Sequence, residues 1–121
     1  MRKILLVDDN SAIAQELAKL LKRRGYGVQI AATVAGAKEV IEKESPLFIN
    51  SDLDLPDDSG LELLDMVRAA DADLPFLIAS CHASSHYEAE AVRRGVTLCL
   101  DKTRINFVAD KLIEYAYRQS C

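Results

Sequence analysis

Short apolar runs alternate with amphipathic stretches along the whole of this 121-residue chain. In KILLV (3–7) four apolar residues follow one another without interruption, as expected of a strand covered on both faces. SAIAQELAKLLKRRG then repeats Ile13, Leu17, Leu20 and Leu21 at helical spacing, with Arg23 and Arg24 near the end and Gly25 as a stop. GVQIA (27–31) reads as a second strand, and VAGAKEVIEKE as a second helix weakened by Gly36. PLFINS (46–51) is the third strand, residues 60–70 the third helix and PFLIAS (75–80) the fourth strand. SHYEAEAVRR opens on the capping box Ser85-x-x-Glu88 and predicts the fourth helix. VTLCL (96–100) is the fifth strand, and Ile105, Val108, Leu112, Ile113 and Ala116 form one stripe of the last helix.

Five strands alternating with five helices predict an α/β fold, a doubly wound parallel sheet covered on both faces. Right-handed crossovers leave few topologies, and sites in such sheets lie outside the carboxyl ends of the strands. Length limits the chain to one domain, residues 1–121, with no output domain after the fifth helix. The formal charge of −4 gives no general attraction for nucleic acid or an acidic membrane surface. The start MRKILLVDDN is too short in apolar residues for a signal peptide or a membrane span, so a cytoplasmic protein is expected. Cys81, Cys99 and Cys121 lack metal-ligand spacing and read as two small buried residues and a terminal thiol.

The chemistry collects at the predicted strand ends. Asp8 and Asp9 follow the first strand, Asp52 the third, Ser80 the fourth, and Asp101 and Lys102 the fifth. Crowded carboxylates raise one another's proton affinity unless a cation neutralises them, and a hard divalent ion such as Mg²⁺ does so through oxygen ligands. A carboxylate held there can act as a nucleophile toward phosphorus, with a hydroxyl and an ammonium meeting the other phosphoryl oxygens. Asp57 and Asp58, in PDDSG, read as turn chemistry with an N-cap for the third helix. His82 and His86 read as solvated residues rather than metal ligands, although His82 and Asp54 together could flank a path for water.

In ILLVDDN, DLDLPDDSGLELL, PFLIAS and LDK, taken in that order and spacing, the chain resembles a response-regulator receiver domain of two-component signalling over essentially its whole length. The resemblance implies a flavodoxin-like fold with strand order 2-1-3-4-5. It implies Asp52 as phosphoryl acceptor, Asp9 as direct Mg²⁺ ligand, Asp8 acting through water, and the Asp54 carbonyl as a further ligand. Ser80 matches the switch hydroxyl and Lys102 the lysine that pairs with the phosphoryl group. The donor would be a sensor histidine kinase or phosphotransfer protein, with no enzyme activity beyond self-phosphorylation and self-dephosphorylation.

Two positions depart from the family pattern. Thr103 stands where a proline usually follows the lysine, so the usual cis bond is lost or replaced by a costly non-proline one. Cys99 stands where a tyrosine or phenylalanine is common, and a cysteine cannot report activation by swinging a ring. Asn50, on a strand expected to be buried, needs partners that the sequence does not identify. One alternative is a receiver-like adaptor that works without phosphate. Another is a phosphohydrolase of the haloacid-dehalogenase type, since DLDLP contains its Asp-x-Asp; that motif closes the first strand there and the third here.

Overall fold

A computed structural model describes residues 2–81 and 85–120, without the side chains of Ser85 and Ser120. The elements run β1 (Ile4–Val7), α1 (Ser11–Arg23), β2 (Val28–Ala31), α2 (Val34–Lys43), β3 (Ile49–Asp52), α3 (Gly60–Ala70), β4 (Phe76–Ser80), α4 (Ser85–Arg93), β5 (Leu98–Asp101) and α5 (Ile105–Ser120). The strands form a single parallel sheet in the order β2-β1-β3-β4-β5, the doubly wound arrangement predicted. Strand ends differ from the sequence expectation by up to three residues. The shift matters at β3, whose last residue is Asp52 itself, paired with Ala79 of β4.

Alternation along each strand sorts the core into two layers. Leu5, Val7, Ile49, Phe76 and Ile78 face one side, where they meet Leu63, Leu64 and Val67 of α3 and Ala37 of α2. Ile4, Leu6, Leu77, Ala79 and Leu100 face the other, against Leu17 and Leu21 of α1 and Val108 and Leu112 of α5. β1 is buried at every position because it lies inside the sheet and is covered on both faces. β2 is the edge, and its Gln29 and Ile30 are exposed. Among the described residues, no helix is long and apolar enough to cross a membrane.

Helices α1, α2 and α3 each start where a side chain meets free N–H groups. Asn10 accepts from Ile13 N at 3.2 Å and starts α1. Beyond α1, Gly25 takes the left-handed conformation (φ 91°) that a helix stop favours. PDDSG does supply the cap of α3, through Ser59, whose hydroxyl accepts from Leu61 N at 3.1 Å. Asp58 accepts from Ser59 N at 2.8 Å. Asp57 instead reaches across to α2 and accepts from Val34 N at 2.9 Å and Ala35 N at 3.0 Å. A carboxylate at a helix N-terminus also meets the positive end of the helix dipole.

The bonds from Ala35 and Val34 hold the Asp57 carboxyl below the usual carboxylate range. Its folded value is depressed, so its stabilisation is present above the ordinary carboxylate pKa and is lost as pH falls through the lower folded value. Urea unfolding of Asp57→Ala should therefore show a lower midpoint than wild type at neutral pH. The gap should begin to narrow below about pH 4 and close in stronger acid. An equal gap at every pH would mean the carboxylate charge plays no part.

Candidate functional site

The parallel sheet brings the ends of β1, β3, β4 and β5 to one edge, and four of the predicted residues meet there. Lys102 follows β5, its position fixed by its own N–H donating to Ser80 O at 3.0 Å. From there its ammonium reaches Asp8 Oδ2 at 2.8 Å and Asp52 Oδ2 at 2.9 Å, with only 8% of the lysine side chain exposed. The other Asp8 oxygen, Oδ1, accepts from Asn10 N at 2.8 Å, so the start of α1 and the lysine hold this carboxylate from two sides. Asp9 is exposed, yet it offers an oxygen that lies within 4.8 Å of those of Asp8 and Asp52. Ser80 is buried at the end of β4, one place beyond the residue paired with Asp52.

Two carboxylates thus meet the Lys102 ammonium, and a third lies beside them. Burial raises the Asp52 carboxyl above its ordinary pKa; the hydrogen bond and charge of Lys102 oppose this, and the charge of Asp8 adds to it. Burial works against the charge of Lys102, but the hydrogen bonds and charges of Asp8 and Asp52 outweigh it and raise its pKa. Both shifts have the sign expected of a pocket with surplus negative charge. An all-oxygen donor set with unneutralised charge suits a hard divalent cation such as Mg²⁺.

The loop after β3 is shaped around Asp52. Gly60 N donates to Leu53 O at 2.7 Å and Leu55 N to Asp58 O at 3.2 Å, closing an antiparallel bridge between Asp54 and Ser59. These bonds flank Asp54 and do not use its own carbonyl, while its side chain is exposed. A Cβ on Gly60 would stand 2.3 Å from the carbonyl oxygen of Asp52, so only glycine lets α3 start this close to β3.

Other candidates lie apart from this cluster. Asp101 is exposed and turned toward Thr103, its Oδ1 accepting from Thr103 N at 3.0 Å and Thr103 Oγ1 at 2.6 Å. No described peptide bond is cis, and Thr103 uses the N–H that a proline would lack. His86 is exposed on α4 and outside the acidic group; His82 lies outside the described residues. Cys81 is exposed rather than buried, because it follows the last residue of β4 where the covered strand ends; Cys99 is half-buried, and Cys121 lies outside the described residues. The sequence reading did not single out Tyr87 of α4, which packs beside Cys99 in the same core layer. Burial pushes both the Tyr87 hydroxyl and the Cys99 thiol up.

Gly60→Ala should force the start of α3 away from Asp52. Overpacking of this kind costs about 1–3 kcal/mol, measurable by urea unfolding. Because the clash falls on Asp52's own backbone, divalent-cation affinity should fall as well. An alanine variant with wild-type stability and affinity would show that the loop yields without disturbing the carboxylate.

Comparisons with known proteins agree with this geometry. The family profile described as response regulator receiver domain matches residues 4–115. The photosynthetic apparatus regulatory protein RegA of Rhodobacter capsulatus is 31% identical over 101 residues, covering 84% of this chain and 55% of that protein. The nitrogen assimilation regulatory protein NtrX of Azorhizobium caulinodans is 31% identical over 112 residues, covering 91% of this chain and 24% of the relative. The chain therefore spans about half the length of RegA and less of NtrX. Among solved structures, a CheY-like receiver domain protein from Methanospirillum hungatei JF-1 superposes with a TM-score of 0.88 at 27% identity, covering 99% of this chain and 97% of that one. The receiver domain of NtrX from Brucella abortus gives 0.79 at 28% identity, covering 93% and 98%.

Proposed function

The chain belongs to the response-regulator receiver family of two-component signalling, and on that basis we propose that Asp52 accepts a phosphoryl group from a sensor histidine kinase or phosphotransfer protein in a Mg²⁺-dependent reaction. The observation that carries this reading is the Lys102 ammonium held between Asp8 and Asp52, with a third carboxylate in reach. Receiver domains are in general signalling domains rather than enzymes, and the proposed output is a change in protein contacts.

In the proposed reaction, a lone pair of the Asp52 carboxylate attacks phosphorus. The P–N bond of the donor phosphohistidine breaks, and its electron pair leaves with the imidazole, which takes up a proton. Lys102 already lies against an Asp52 oxygen and can follow the negative charge onto a phosphoryl oxygen. The Ser80 hydroxyl, at the end of β4, is the proposed donor to another. Asp8, Asp9 and Asp52, with the carbonyl of Asp54, would hold Mg²⁺. When bound, the ion supplies positive charge that lets phosphoryl oxygens approach three carboxylates. Positioning and charge neutralisation account for most of what this chemistry needs. The phosphohydrolase reading loses its support, since family membership lies elsewhere and Asp54 is exposed at the loop bridge.

Incubation with Mg²⁺ and a small phosphoryl donor should add one phosphoryl unit to the intact mass. Asp52→Ala or chelation of the metal should abolish the gain. Failure of the wild-type protein to gain mass under these conditions would favour an adaptor that works without phosphate. Mg²⁺ alone should also stabilise the fold, by about 2.7 kcal/mol at a concentration about a hundredfold above Kd. Asp9→Asn should shift that response to higher Mg²⁺, as read by urea unfolding.

A further inference from the structure

Asn50 is a polar residue in an apolar layer. It sits on β3 in register with Leu6 of β1 and Leu77 of β4, and so faces α1 and α5 with them. Two places along the same strand, Asp52 projects from the same face at the rim. Asn50 is 5% exposed, and its Oδ1 is buried with no hydrogen-bond partner among the described residues. A buried amide oxygen without a partner is costly, by about 1–3 kcal/mol, so its retention calls for an explanation.

Beneath the acidic pocket lies a small cavity with about 10 Å³ of space for the centre of a water molecule. Its polar wall is Asn50, Asp8, Asp52 and Lys102, and apolar side chains close the remainder. That volume corresponds to about one water, and a buried water needs two to four polar partners. The site provides them. Lys102 has three N–H donors, and the two carboxylates account for two of them. Asn50 Oδ1 contributes an acceptor, and the carboxylates offer further lone pairs.

We propose that one internal water in this cavity accepts from the third N–H of Lys102 and donates to Asn50 Oδ1, making Asn50 a positioning residue for the lysine. The bridge ties the ammonium to the middle of β3 from below while Asp8 and Asp52 hold it from above. Its consequence for function rests on the reading that Lys102 follows the phosphoryl group. A lysine held from below must break or stretch the bridge to do so, and Asn50 thereby restrains phosphoryl uptake.

The test uses the unphosphorylated 121-residue chain and NMR. Wild type should show a long-lived water with cross-peaks to the Asn50 side-chain amide and to the Lys102 ammonium. In Asn50→Leu, which replaces the amide by an apolar group and so removes the acceptor, the water should be gone. Proton exchange of the ammonium should then be roughly tenfold faster, the weight of about one hydrogen bond. Asn50→Ala should give the same lysine signature should the leucine variant fold poorly. Leu112→Ala, a substitution in the same layer away from the cavity, should leave the lysine signal unchanged. Phosphoryl uptake from a small donor should rise severalfold in Asn50→Leu. The absence of the water in wild type, or unaltered lysine exchange in both Asn50 variants, would overturn the bridge. A wild-type uptake rate in Asn50→Leu would overturn the restraint. Failure of wild type to take up phosphoryl at all would count against the proposed function alone, since the water and lysine signals are read without it.

Discussion

The structure turns on one ammonium placed between two carboxylates at the rim of a parallel sheet. Lys102 comes from the end of β5, Asp8 from the end of β1 and Asp52 from the end of β3, so the contact requires the sheet to be assembled from β1 across to β5. A lysine this well covered is costly without partners, and removing one partner of such a buried pair costs about 3–5 kcal/mol. The pocket nevertheless keeps surplus negative charge, because Asp9 joins the other two acids and, among the described residues, Lys102 is the one cation paired with them. Stability and chemistry therefore pull on the same group. The lysine neutralises enough charge for the fold to persist and leaves enough for a further cation.

Support for this contact comes from the loops rather than from the sheet alone. Asn10 N holds the second oxygen of Asp8 in place, and the same residue starts α1. The β3–α3 loop is fastened at both ends. Gly60 allows α3 to start against the Asp52 backbone, and Asp57 ties the loop to the first N–H groups of α2. Anchoring of the loop that follows β3 keeps the end of the strand in place, and the proposed phosphoryl chemistry is sensitive to small displacements there.

Most of the fold and the pocket could be read from the residues, and for a local reason. The two-residue period of strands and the 3.6-residue period of helices are imposed by backbone geometry on short windows, so ILLV and the Leu17–Leu21 stripe declare their elements unaided. Once the elements alternate, the handedness of crossovers sends strand ends to one edge, and Asp8, Asp52, Ser80 and Lys102 follow.

What the residues alone determined was therefore the order of elements, the sheet edge where the acids and the lysine gather, and the residues standing on it. Only the tertiary structure decided which acids turn inward. Asp101 adjoins Lys102 in sequence but bonds Thr103, whereas Asp52, fifty positions from the lysine, meets its ammonium. Likewise Asp57, in a stretch that reads as a local turn, caps a helix 23 positions away. Asn50 and Tyr87 acquire their neighbours in the same manner. Each of these contacts depends on distances between chain segments that local periodicity does not encode, and packing of the two layers against the sheet sets those distances.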